Sequence, residues 1–159
     1  MEKFRRWPRF RTDLQSARSG INSNLFGRYI HMDEEQRYAK GLEVRRATLG
    51  DQYVNRALDS KNPFTAEFQE MITRYAWGEI WTRPGLPRHT RSLITIAMII
   101  ALNREAELRL HLRAAANNGV TPDEIKEVLL QAAIYCGVPA ANAAFRIAEE
   151  VLSNRGVQE

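Results

Sequence analysis

This chain of 159 residues contains one cysteine, Cys136. A lone thiol excludes an internal disulfide framework, and it excludes a Cys-x-x-Cys redox or zinc pair within one chain. A reducing cytosol is the expected compartment. Histidine is scarce too, with three in all. His89 and His111 are far apart in sequence, and no His-Glu-x-x-His or repeated Glu-x-x-His pattern accompanies them, so no metal is expected. No apolar run approaches the ~18–20 residues of a membrane span. Glycine-rich phosphate loops and a Gly-x-Ser-x-Gly elbow around Ser92 are missing as well.

Positive charge is present but confined. Residues 1–31 hold seven basic and two acidic residues, whereas the remainder holds sixteen basic and seventeen acidic. The formal net charge of +4 therefore belongs to the first segment. A near-neutral body with no basic stripe argues against nucleic acid as a partner. Segment 1–31 is rich in Arg, Ser and Asn and has no apolar centre for a secretory signal. It faintly resembles an organellar transit peptide. The favoured reading is a disordered arm or sequence upstream of a true start at Met32, because Met32-Asp-Glu-Glu35 reads like a fresh N-terminus entering a helix.

Residues 32–159 read as one domain, large enough to bury a core, and as helical throughout. Asp33 is a cap for a helix to about Thr48. Gly50 punctuates it, and a short helix follows through Leu58. Asn62-Pro63 opens a helix with Phe64, Phe68, Met71, Ile72 and Tyr75 as an amphipathic stripe. Leu93 to Leu102 is apolar on nearly all sides; β-branching permits a strand, but Ala and Met over ten residues favour a buried helix. A helix from Glu105 to Asn117 follows. Thr121-Pro-Asp-Glu124 is a capping box with proline at the first helical position, opening a helix to Tyr135. Pro139 begins the last one, where Ala140, Ala141, Ala143, Ala144 and Ala148 permit close packing. The class is all-α, with about six to eight helices.

The densest chemistry lies between Trp77 and Arg91. Two tryptophans (Trp77, Trp81), three arginines (Arg83, Arg88, Arg91) and His89 occupy fifteen residues, interrupted by Pro84, Gly85 and Pro87. Guanidinium forks pair bidentately with carboxylates, and indoles provide apolar walls with few rotors to freeze. Such a loop opening into a buried helix suits a pocket for a small anion; the competing reading is a surface loop whose tryptophans plug the core. Glu107 and His111 stand four apart and share a helical face. A carboxylate there can orient an imidazole and raise its pKa; alternatively both join a surface salt-bridge network with Arg104, Glu105, Arg109 and Arg113. Cys136, next to the start of the final helix, is either an activated thiol or a small core residue. A thiol peroxidase using it, or a non-catalytic assembly protein, are the alternative functions.

Several stretches together resemble the carboxymuconolactone decarboxylase family, within the alkylhydroperoxidase-D-like superfamily. They are Gly41-Leu-Glu-Val-Arg-Arg, Phe68-Gln-Glu-Met-Ile-Thr-Arg, Trp77-Gly-Glu-Ile-Trp-Thr-Arg-Pro-Gly-Leu, Thr90-Arg-Ser-Leu-Ile-Thr, His111-Leu-Arg-Ala-Ala-Ala-Asn-Asn-Gly and Glu124-Ile-Lys-Glu-Val-Leu. The resemblance runs from Met32 to the end, about four-fifths of the chain. It implies an alkylhydroperoxidase-D-like helical bundle and a homo-oligomer, trimer or hexamer. Superfamily members with peroxidase chemistry carry Cys-x-x-Cys-x-x-x-His. Here Arg104 and Glu107 stand in those cysteine positions and only His111 remains.

The implied activity is loss of carbon dioxide from γ-carboxymuconolactone, a dicarboxylate lactone of protocatechuate breakdown, to give β-ketoadipate enol-lactone. The electrons left behind flow through the ring double bond into the lactone carbonyl as a dienolate. The substrate is its own electron sink, so the resemblance implies no cofactor. Under that reading Arg83 and Arg91, with Arg88 as a third, hold the carboxylates. Trp77 and Trp81 wall the pocket. His111, oriented by Glu107, donates a proton or a hydrogen bond, with His89 as the rival acid.

Overall fold

The computed structural model describes residues 32–154; segment 1–31, with the expectations placed on it, lies outside the described residues. Among the described residues the regular structure is seven α-helices, one π-helical segment and one short 3-10 turn. Helix α1 spans Glu34–Leu49, with Glu34 and Glu35 in its first turn and Arg46 in its last, charges that suit the helix dipole. Gly50 follows at φ 87°, in the left-handed region, and separates α1 from α2, Asp51–Asp59.

Asn62 opens the next unit as expected, but as a turn. Its Oδ1 accepts from the Phe64 and Thr65 amides at 3.0 and 3.2 Å. Helix α3 proper is Ala66–Ile72. From Thr73 to Ile80 the helix widens into a π segment. The predicted stripe does not face the core: Phe64, Phe68, Met71 and Tyr75 are exposed. The buried face of this unit belongs to Thr73, Trp77 and Gly78 instead. The reason is the contact with α1, which is made backbone to backbone. A Cβ on Gly41 would lie 2.0 Å from the Thr73 carbonyl oxygen, and one on Gly78 2.2 Å from the Arg37 carbonyl oxygen. Glycine on both sides lets the helix axes approach, and this contact selects which face turns inward.

The remaining helices are α4, Arg88–Ala101; α5, Glu105–Ala114, continued by the 3-10 turn Ala115–Asn118; α6, Pro122–Tyr135; and α7, Val138–Ser153. The predicted capping box is present: the Thr121 side chain accepts from the Glu124 amide, and the Glu124 carboxylate accepts from the Thr121 amide. Helix α4 begins earlier than the apolar run, because Pro87 takes an extended conformation that ends the preceding loop. It buries Ile96 and Ile100 but leaves Ile94, Met98 and Leu102 exposed, so it is not apolar-buried on all sides.

Two apolar clusters hold the fold together. The larger joins α4 to α7 through residues such as Ile96, Leu112, Leu129 and Ile147. The second unites Leu49, Val54, Trp77 and Ala114, with Trp81 and Leu110 packed against it. Helix α5 serves both, since Leu108 and Leu112 face the first and Leu110 and Ala114 the second. Its position, and that of His111 on it, is therefore fixed from two sides.

Candidate active site

The π segment positions the two indoles. The Trp81 amide donates to the Ala76 carbonyl, five residues back, at 2.9 Å. Thr82 Oγ1 donates to the Gly78 and Glu79 carbonyls at 2.8 and 3.0 Å, closing the segment. Trp77 and Trp81 consequently meet with ring centroids 5.0 Å apart and planes tilted by 35°. Such a pair contributes about 0.5–1.5 kcal/mol beyond its burial. Trp77 is buried and Trp81 half-buried; one indole plugs the second cluster, and its neighbour packs against the same cluster from its partly exposed side.

Within the stretch from Trp77 to Arg91, residues 81–87 form the irregular loop; Trp77 precedes it in the π segment, while Arg88, His89 and Arg91 occupy the first turn of α4. Arg91 folds back across the loop, its Nη2 donating to the Arg83 carbonyl at 3.1 Å. Its Nε is buried and has no acceptor. Arg83 is half-exposed, with Nη1 3.6 Å from Glu79 Oε1. Arg88 is exposed at the helix start. The structure thus brings the Arg91 guanidinium against the Arg83 backbone carbonyl.

The two histidines have different surroundings. His111 lies on α5 between Leu110 and Leu112, each in a different apolar cluster. Burial pushes its pKa below the ordinary value, with the nearby Glu107 charge opposing the shift. No hydrogen bond joins Glu107 to His111 among the described residues, and Glu107 itself is exposed. His89 has the bonded carboxylate: its Nε2 is 2.9 Å from Glu124 Oε1. The other oxygen of Glu124 accepts from the Thr121 amide and hydroxyl, each at 2.9 Å. Those donors and His89 hold the Glu124 carboxyl down to about 2, the Thr121 amide contributing most.

Three further residues stand out in the structure, of which the sequence raises Ser92 only as a nucleophile lacking its elbow. Glu124 had been assigned only to the capping box. Ser92, one turn into α4, is buried with no partner for its hydroxyl. Arg45 is buried on α1; the available signal was its spacing of four from Gly41, which puts both on one face. Cys136 ends α6 exposed, so it is not a core residue. It rims an apolar groove of about 280 Å³ bounded by Leu93, Ile94 and Tyr135.

The chain belongs to the carboxymuconolactone decarboxylase family, whose profile matches residues 66–150. It is 59% identical over 126 residues to the 4-carboxymuconolactone decarboxylase of Acinetobacter baylyi, covering 79% of this chain and 94% of that protein. It is 45% identical over 117 residues to the nitrosuccinic acid decarboxylase of Metarhizium robertsii, covering 74% of this chain and 82% of that protein. A protein of Paracoccus denitrificans of unassigned function is 33% identical over 122 residues, covering 74% of this chain and 88% of that one.

Proposed function

We propose that this chain is a carboxy-lyase that converts γ-carboxymuconolactone to β-ketoadipate enol-lactone in protocatechuate catabolism, working in the cytoplasm. The observation that carries the reading is the 59% identity to a protein named for this reaction, over 94% of that protein's length. The second decarboxylase relative is named for nitrosuccinic acid. Nitrosuccinate, too, is a dicarboxylate with a built-in electron acceptor, the nitro group.

Decarboxylation breaks the bond between the ring carbon and its carboxylate. Its electron pair passes through the ring double bond to the oxygen of the lactone carbonyl, carbon dioxide departs, and a proton is added at the carbon alpha to that carbonyl. The protein's part is to bind a dianion, stabilise the developing oxyanion and supply the proton. Arg91, with its buried Nε lacking an acceptor, and Arg83 across the loop are assigned to the carboxylates. The stronger clamp belongs on the acetate arm that is retained, because a cation against the leaving carboxylate hinders its loss. Trp77 and Trp81 limit hydration of the departing group.

Burial favours neutral His111 near neutral pH. Its role is therefore to donate an N–H hydrogen bond to the lactone oxygen, where the negative charge grows. His89, bonded to Glu124, is assigned as the proton donor. The active form is proposed to be a homo-oligomer, trimer or hexamer; the exposed Ile94 and Met98 of α4, Leu102 just after it, and Ile134 and Tyr135 of α6 support association. The test is turnover of the lactone by purified protein with a chelator present, alongside nitrosuccinic acid. Preferential turnover of the lactone is expected; folded protein that leaves it unchanged contradicts the reading.

A further inference from the structure

Helix α1 carries an arginine where its packing calls for a core residue. Arg45 is only 3% exposed. No carboxylate pairs with it among the described residues; its Nη1 donates to Thr73 Oγ1 at 3.2 Å and its Nη2 to Gln69 Oε1 at 3.0 Å, both neutral acceptors. Its Nε has no acceptor, and burial lowers its pKa. A desolvated charge held this way is a poor source of stability, since an apolar side chain of similar volume often does as well or better.

The acceptors show what the charge does instead. Gln69 and Thr73 are one helical turn apart, on either side of the point where α3 ends and the π segment begins. The Thr73 hydroxyl gives its own proton to the Gln69 carbonyl at 2.7 Å, leaving its lone pairs to Arg45. Gly41, one turn before Arg45 on α1, brings the α1 backbone against the Thr73 carbonyl. Thr73 is thus gripped from one helix at both its hydroxyl and its carbonyl. Four residues on lies Trp77, and slipping the register by one residue would turn the indoles by roughly 100° about the axis.

We propose that Arg45 is a positioning residue: its buried guanidinium fixes Thr73 as the point where the helix widens, and so sets the Trp77–Trp81 pair against the His111 helix. The catalytic consequence rests on the decarboxylase reading; the structural part does not. Arg45→Met tests it through melting temperature, the near-ultraviolet circular dichroism of the coupled indoles and turnover of the lactone, with Trp81→Phe defining complete loss of the coupled signal. The expected result is a melting temperature equal to or above the wild type, loss of the coupled signal, and kcat/KM lower by on the order of tenfold to a hundredfold. Arg45→Lys, which keeps the charge but not the fork, is expected not to restore the signal. A wild-type indole signal in Arg45→Met overturns the proposal, as does an activity loss that only follows a loss of folded protein. If Arg45→Met does not fold, Thr73→Val decides: a weakened signal supports the proposal and an unchanged one overturns it. Should the wild type fail to turn over the lactone, the decarboxylase reading falls, and the indole signal still decides on Arg45.

Discussion

His89 and Glu124 join the first turns of two helices through a 2.9 Å contact between Nε2 and Oε1. The same carboxylate closes the α6 capping box, so one side chain both starts a helix and holds an imidazole. Glutamine at position 89 can still donate to Glu124 but has no titrating proton. His89→Gln is therefore expected to keep its melting temperature within a few degrees while kcat falls, by about 10²-fold or more if His89 is the acid. Calorimetry with steady-state kinetics checks this; an unchanged kcat removes His89 from proton delivery.

Glu124 also gives the fold an acid-sensitive point. Its folded carboxyl titrates near 2, below the ordinary 4.5, so the native state favours the charged form. That contribution is complete above the ordinary carboxylate range and is lost as pH falls towards 2. Glu124→Gln is expected to flatten the fall in melting temperature over that window. A fall as steep as the wild type's contradicts the assignment.

His111 titrates in the opposite sense for its class. Burial depresses its pKa below 6.5, so acidification must charge a group that the fold keeps neutral. If the neutral ring donates to the lactone oxygen, kcat falls as pH drops through that depressed pKa. A kcat that rises on acidification there identifies the imidazolium as the active form instead. His111→Ala should lower kcat by about 10²- to 10³-fold, the range for loss of one oxyanion donor, with a smaller change in KM. Arg91→Ala should do the reverse and mainly raise KM.

The α1–π contact tolerates no side chain on its glycines. A Cβ at Gly41 would sit 2.0 Å from the Thr73 oxygen and 2.8 Å from the Gly78 nitrogen. Because both obstacles are backbone, Gly41→Ala is expected to destabilise by about 3 kcal/mol, the upper end of the usual range for overpacking. Denaturant unfolding measures it, and a loss below about 1 kcal/mol would mean the two helices can separate without strain.

Local signals were legible where the chemistry is local. The capping box at Thr121, the boundary at Gly50 and the helix from Pro122 to Tyr135 stand where residue type alone placed them. What escaped depends on two helices at once. Hydrophobic spacing does not distinguish a π turn from an α turn, so the widening at Thr73 had no signature. Phe64, Phe68, Met71 and Tyr75 form a good amphipathic stripe, yet Gly41 and Gly78 turn the opposite face inward. Arg45 lies on a helix rich in charge, and only its spacing of four from Gly41 sets it apart. Among the site residues, the indole pair and the Arg83–Arg91 contact join groups marked in one stretch of sequence. The carboxylate bonded to histidine proved to be Glu124 on His89, which no i, i+4 rule could reveal.

The most direct measurement is a reaction run in deuterium oxide with γ-carboxymuconolactone, purified protein and a chelator, quenched early. Carbon dioxide is trapped, and the product's deuterium is located by mass spectrometry and NMR. The expected result is one equivalent of carbon dioxide for each enol-lactone formed, with a single deuteron at the carbon alpha to the lactone carbonyl. Folded protein that releases no carbon dioxide, or a product carrying its deuteron elsewhere, would contradict decarboxylation through a dienolate.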